Sequence, residues 1–256
     1  MQSIHRQGRA LRVIRRAPGA RVRLFCFPYA GSGPSIFNDW PALMSDAVEL
    51  VGVVYPGREC RAGEPLSRDL GELAQTLVDE IAERDDLPFA FFGHSMGAYV
   101  GFEVARRLAP RAQRPQHLFL SAAGAPHLPE PCRIHDLPSR EFFKALVRLN
   151  GFPAEVLKET ELVRYALPIL RADFTACETY RFRADAPSRC PMTVFGGSHD
   201  IRVDRHRLEA WRQLASLSFS LRVFDGGHFY LRERKAELIG CMRPELARLG
   251  QGREVA

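Results

Sequence analysis

The chain lacks several features that would announce a class at once. It has no run of 18 apolar residues, so no helical membrane span is expected. Its six cysteines (Cys26, Cys60, Cys132, Cys177, Cys190 and Cys241) are scattered, with no Cys-x-x-Cys pair and no secretory signal. That pattern speaks against zinc and disulfides, and for reduced thiols in a cytosol, most of them small core residues. Internal repeats, low-complexity tracts and interdomain linkers are likewise missing. A basic excess is missing too, once the N-terminus is set aside. Residues 1–23 carry seven arginines (Arg6, Arg9, Arg12, Arg15, Arg16, Arg21, Arg23) and no acid, which leaves 29 basic and 30 acidic residues for the rest. The net charge of +6 thus belongs to an arm, and nucleic-acid binding, which needs a basic stripe on the folded surface, is not expected. The arm has no apolar core of a signal peptide and runs into strand-like sequence, so it reads as a basic N-terminal strand.

What is present is the composition of a globular chain, 46% hydrophobic and 26% charged over 256 residues. One domain spanning residues 1–256 is expected. Short apolar runs of strand type recur at Val22–Phe27, Leu50–Tyr55, Phe89–Phe92, Leu118–Ser121, Met192–Gly196 and Phe219–Phe224. Between most of them lie segments of helical period. From Asp69 to Glu83, Leu70, Leu73, Ala74, Leu77, Val78 and Ile81 form one stripe, with Ser67 or Asp69 as the cap. Met96–Leu108, Asp204–Ala215 and Arg232–Leu249 read similarly, although Pro244 should kink or end the last. This alternation predicts an α/β fold: a mostly parallel sheet with helices on both faces. Residues 126–187 break it, with a proline-rich entry and helical pieces near Phe142–Leu149 and Leu162–Phe174. We read them as a helical insertion, a lid over the carboxyl edge of the sheet, where open α/β folds bind ligands.

Gly93-His94-Ser95-Met96-Gly97 stands directly between a strand and a helix. A serine on such a sharp turn is pushed out above the sheet, while the flanking glycines let strand and helix approach. The hydroxyl needs a base and an orienting acid. Asp200 follows Met192–Gly196, and His228 follows Phe219–Phe224 behind two glycines. Ser95, Asp200 and His228 therefore stand in the chain order of the α/β-hydrolase fold, each after a strand end. Among the other histidines, His94 is too close to Ser95 to face its Oγ and reads as packing beneath the turn; His199 and His206 remain rivals to His228. Asp204 and Asp225 remain rivals to Asp200. An oxyanion hole needs two N–H groups. The Met96 amide is one, and the loop Phe27-Pro28-Tyr29-Ala30-Gly31-Ser32-Gly33 offers the Ala30 amide as the second, with Tyr29 as the alternative.

With these residues in view, the chain resembles the type II thioesterases that accompany nonribosomal peptide and polyketide synthases. The resemblance runs through Cys26–Gly31, Tyr55-Pro56-Gly57-Arg58-Glu59-Cys60-Arg61, the Ser95 turn, Leu170-Arg171-Ala172-Asp173-Phe174 with Glu178-Thr179-Tyr180, the Gly197–Asp200 turn and Gly227-His228-Phe229. Ser32 departs from it, standing where glycine is common; a serine could narrow the loop or donate a hydrogen bond. The resemblance implies hydrolysis of stalled or aberrant acyl groups from the phosphopantetheine arm of an acyl or peptidyl carrier protein, through an acyl-serine. It implies no metal or bound cofactor; from composition, hydropathy and cysteine usage no nucleic-acid or membrane partner and a cytoplasmic location are expected, and the chain is expected to act as a monomer. Phe142, Phe143, Leu146, Leu167 and Leu170 would line or gate an acyl chamber, or simply pack the insertion. Arg58 and Arg61 would join a salt-bridge network or meet the arm's phosphate. The rival readings are a small-molecule carboxylesterase or lipase, a noncatalytic binding protein of the same fold, and acyl transfer or macrocyclisation in place of hydrolysis.

Overall fold

The computed structural model describes residues 10–111, 114–130, 133–149, 159–184 and 188–252. His5, Cys132 and the arginines at 6 and 9 lie outside them. Among the described residues, seven strands form one sheet: β1 (Leu11–Arg15), β2 (Val22–Phe27), β3 (Val48–Val53), β4 (Phe89–His94), β5 (Leu118–Ser121), β6 (Met192–Gly197) and β7 (Phe219–Phe224). Their order across the sheet is β1-β3-β2-β4-β5-β6-β7. Among these strands only β1 is antiparallel, pairing Leu11 with Val53 on β3.

Residues 11–15 of the basic arm are therefore an edge strand, and Arg12, Arg15 and Arg23 are spent on the protein itself. Arg12 reaches Glu59 at 2.8 Å and Asn38 at 2.9 Å, and Arg15 donates to the carbonyls of Pro41 and Val48. Arg23, on β2, is buried and ion-paired with Glu49 and Asp86. A charged edge of this kind also discourages pairing with a second chain.

The alternation of side chains along β2 assigns the two faces. Phe25 and Phe27 point into one apolar layer with Leu73, Leu77 and Val100, contributed by α1 (Leu70–Ala82) and α2 (Met96–Leu108). Leu24 and Cys26 point into the other, with Trp40 and Phe92. All six residues of the stripe predicted for α1 are buried, and the Asp69 carboxylate caps the helix by accepting the Glu72 N–H at 2.9 Å. Between β5 and β6 lie α3 (Ser139–Arg148) and α4 (Thr160–Thr179), longer than the sequence pieces expected there.

Four expectations shift. The strand expected at Leu50–Tyr55 is Val48–Val53; Tyr55 has left the ladder and its hydroxyl donates to the Pro28 carbonyl at 3.3 Å. The helix expected over Asp204–Ala215 is α5 (Arg205–Glu209) followed by a tighter 3-10 turn at Ala210–Leu214, which seats Trp211 in the core with its indole N–H on the Ala123 carbonyl. Pro244 does not end α6 (Lys235–Gln251). Leu238, Ile239, Met242 and Leu246, buried on both sides of the proline, hold that helix on the sheet despite the lost hydrogen bond. Cysteines, too, are less uniformly core residues than expected: Cys26 and Cys190 are buried, Cys177 and Cys241 are half-buried, and Cys60 is exposed.

The strand order also positions the site. From β2 the chain crosses to β3 on one side, then returns over β2 to β4 on the other. The connections leaving β2 and β4 consequently diverge and open a crevice at the carboxyl edge. The loop beginning at Pro28 and the turn at Ser95 flank it, their strands in register through Phe27 and Gly93.

Candidate active site

Ser95 joins β4 to α2 with φ 54° and ψ −117°, a conformation costly for a side chain and held by its surroundings. Its N–H donates to the Ser121 carbonyl at 2.7 Å, tying the turn to β5. The glycines on each side are required by contact. A Cβ on Gly93 would lie 2.2 Å from the Gly97 carbonyl oxygen, and one on Gly97 would lie 2.0 Å from that of Phe27. The two glycines therefore let α2 start hard against β2 and β4.

Nε2 of His228 lies 3.0 Å from Ser95 Oγ, and its Nδ1 lies 2.7 Å from Oδ2 of Asp200. The Asp200 side chain is fully enclosed. Its Oδ1 accepts the N–H groups of Arg202 at 2.9 Å and Val203 at 3.2 Å, which aims Oδ2 at the imidazole. The three residues predicted from sequence thus meet in one chain of contacts.

The rivals have other partners. Asp204 caps α5, accepting the Arg207 N–H at 2.8 Å, and exposed Asp225 faces Arg234 and His199. His206 is exposed, and His117 is buried against Thr193. His94 lies beneath the turn as expected, with Nδ1 2.8 Å from Ser121 Oγ, which in turn lies 2.5 Å from the Tyr230 hydroxyl. Burial, then the neighbouring His228, drives the His94 pKa well below the usual imidazole range, so it stays neutral at the base of the site. Ser121 and Tyr230 carried no sequence signal; only the fold brings them together.

A narrow cavity of about 60 Å³ opens beside Ser95 and His228. Met96, Ala30 and Tyr29 all line it. Leu146, Leu149, Leu170 and Phe174 from the α3–α4 segment supply apolar wall, and Arg202, paired with Glu130 at 2.7 Å, a charged one. Of the apolar candidates, Leu146 and Leu170 reach the cavity. Phe142 and Leu167 pack within the segment's own cluster, and Phe143 is not among the lining residues.

Both arginines are committed to intramolecular partners. Arg61 bonds the Val54 carbonyl at 2.9 Å and Glu64 at 3.0 Å. Arg58 makes a two-pronged pair with Asp173, at 2.6 and 2.8 Å. Ser32 donates its hydroxyl to the Tyr29 carbonyl at 2.7 Å, the second of the two uses considered for it.

A family model described as a thioesterase domain matches residues 22–246. The chain is 41% identical to the gramicidin S biosynthesis protein GrsT of Aneurinibacillus migulanus, over 89% of this chain and 90% of the relative. The type II thioesterase BorB from the borrelidin biosynthetic cluster is 36% identical, with a TM-score of 0.85, over 92% of this chain and 97% of that one. YbtT, a type II thioesterase from the yersiniabactin NRPS/PKS pathway, is 31% identical with a TM-score of 0.85, covering 93% and 99%.

Proposed function

The chain belongs to the thioesterase family, and on that premise we propose that it hydrolyses stalled or aberrant acyl groups from the phosphopantetheine arm of carrier proteins in nonribosomal peptide or polyketide biosynthesis. The observation that carries this reading is the continuous contact Asp200–His228–Ser95 beside a cavity walled by apolar side chains. The relationship to GrsT, BorB and YbtT supports the choice of substrate class.

The proposed reaction has two steps. His228 Nε2 takes the Ser95 proton as Oγ bonds to the thioester carbonyl carbon. The resulting oxyanion is held by the Met96 amide and the Ala30 amide, while Asp200 stabilises the imidazolium. When the tetrahedral intermediate collapses, the carbon–sulfur bond breaks and the arm's thiol leaves with the proton from His228. Water then gives a proton to His228 and bonds to the acyl carbon; the carboxylic acid departs and Ser95 recovers its proton. All three side chains come from one chain, so a monomer suffices. On this reading the chain acts as one domain, 1–256, with 126–187 as its lid, both ranges running partly outside the described residues, and Leu146 and Leu170 supply the lid's inner wall.

The test is a comparison of hydrolysis of an acyl group on a phosphopantetheinylated carrier with hydrolysis of the same acyl group as a free oxygen ester. A large preference in kcat/KM for the carrier thioester is expected. A preference for the free ester would instead favour a small-molecule esterase.

A further inference from the structure

The contact of most consequence outside the triad lies between α4 and the loop after β2. The Asp173 carboxylate is completely buried and serves two partners at once. It holds the Arg58 guanidinium with both oxygens, and Oδ2 also accepts the Gly31 N–H at 2.7 Å. Gly31 has φ +78°, and the Ser32 N–H closes back on the Tyr29 carbonyl at 3.1 Å. Tyr29–Ser32 is thus a tight turn with glycine third, the position at which a type II turn demands positive φ. The alternative, type I, arises by flipping the Ala30–Gly31 peptide. A carboxylate bonded to the Gly31 N–H fixes which way that peptide faces.

The preceding peptide is pinned from the other end. The Tyr29 carbonyl receives both the Ser32 N–H and the Ser32 hydroxyl, at 3.1 and 2.7 Å. In a trans peptide the N–H points opposite to the C=O. Anchoring the Tyr29 carbonyl inside the turn therefore turns the Ala30 N–H outward, and Ala30 lines the cavity beside Ser95. Arg58 braces the same loop from a third element: it sits over the Tyr55 ring, and the Tyr55 hydroxyl bonds the Pro28 carbonyl.

We propose that Asp173, braced by Arg58, is a positioning residue for the oxyanion hole: by holding the Gly31 amide it fixes where the Tyr29–Ser32 turn is seated against α4, and so where the outward-facing Ala30 amide stands relative to the reacting carbonyl. This rests on the acyl-serine reading above. Asp173 touches no reacting atom; it acts through the Gly31 amide. It also makes the oxyanion loop depend on α4 being seated, because the carboxylate comes from that helix.

The test removes the Gly31 acceptor without leaving a buried charge. Asp173→Ala alone strands Arg58 and risks the fold, whereas Arg58→Met with Asp173→Leu replaces the pair by apolar side chains, an exchange that buried ion pairs often tolerate. The double variant is expected to fold, with kcat lowered about 100-fold, the typical effect of losing one oxyanion donor, and KM changed less than threefold. Affinity for a trifluoromethyl ketone analogue of the acyl group, whose adduct with Ser95 carries the oxyanion, should fall in proportion to kcat. Ser32→Ala, which removes the other pin and disturbs no ion pair, should lower both in the same direction by a smaller factor. A folded double variant that keeps kcat and analogue affinity within threefold of the parent overturns the proposal. So does a loss confined to KM, and so does an unfolded double variant combined with a Ser32→Ala enzyme unchanged in both readouts. Failure of the underlying reading would look different: the parent enzyme itself would form no acyl-Ser95.

Discussion

Nε2 of His228 lies 3.0 Å from the Ser95 hydroxyl although 133 residues separate them in the chain. The parallel sheet makes this contact possible. Ser95 leaves the end of β4 and His228 follows the end of β7, with β5 and β6 between those strands, and every one of these strands points its carboxyl end toward the same edge. Asp200, after β6, then falls behind the imidazole with its second oxygen tethered by two backbone amides.

Asp200→Asn should leave the fold intact and lower kcat by about 10³- to 10⁴-fold, because an amide at this place favours the wrong imidazole tautomer. Asp225→Asn, on an exposed side chain facing Arg234, should stay within threefold of the parent. Steady-state kinetics on both variants checks the assignment, and a crippled Asp225→Asn beside a nearly silent Asp200→Asn would reverse it.

The close approach of α2 to β2 is expected to make Gly97 intolerant. Gly97→Ala puts its Cβ 2.0 Å from the Phe27 carbonyl oxygen, on a backbone with no room to give. A loss of about 1–3 kcal/mol or more, with most turnover, should appear in denaturant titrations and kinetic assays. Gly240→Ala is the control: nothing lies within 4 Å of its new Cβ, and in the interior of α6 it should gain about 0.5–1 kcal/mol.

Stability should fall on the acid side through buried imidazoles. Burial lowers the His117 pKa to about 4, against an opposing pull from Glu245 and alongside repulsion from Arg248. The unfolded chain takes up this proton near pH 6.5. Between the two values the unfolded state binds more protons, so stability declines as pH drops from 6.5 to 4, by about 3 kcal/mol from this residue, and His94 adds to the same trend. Unfolding free energies measured at pH 7 and pH 4.5 should differ less in His117→Asn than in the parent; equal differences would remove His117 from the account.

Phe174 forms part of the cavity wall and packs edge-on against Phe142 at 5.9 Å. Phe174 is half-buried, so Phe174→Ala is expected to cost about 1–2 kcal/mol of stability, and to shift the preferred acyl group toward longer chains. A panel of carrier thioesters of increasing chain length reads this out, and an unchanged chain-length profile in a folded variant would take Phe174 out of the acyl path.

How much of this was legible in the sequence follows from which contacts are local. The Ser95 turn, the α1 stripe and the strand runs are written in consecutive residues, and the structure places them there, apart from the run at Leu50–Tyr55, which pairs as Val48–Val53. Triad membership was readable because each member follows a strand end, so chain order carried spatial information. Asp173 with Gly31 had no such signal: 142 residues separate them, and nothing in a helical aspartate announces a loop glycine as its partner. The buried line His94–Ser121–Tyr230 was hidden for the same reason. That Pro244 does not end α6 was not legible because propensity is local, whereas the packing that carries α6 past it is tertiary.

The most direct test is to mix the enzyme with an acyl-loaded carrier protein, quench within milliseconds, and measure the mass of the peptide containing Ser95. The account predicts a peptide heavier by the acyl group in the parent. It predicts no adduct in Ser95→Ala, whose turnover should be lower by several orders of magnitude. Unmodified Ser95 under rapid turnover, or a Ser95→Ala enzyme that still releases the acyl group at the parent's rate, would contradict it.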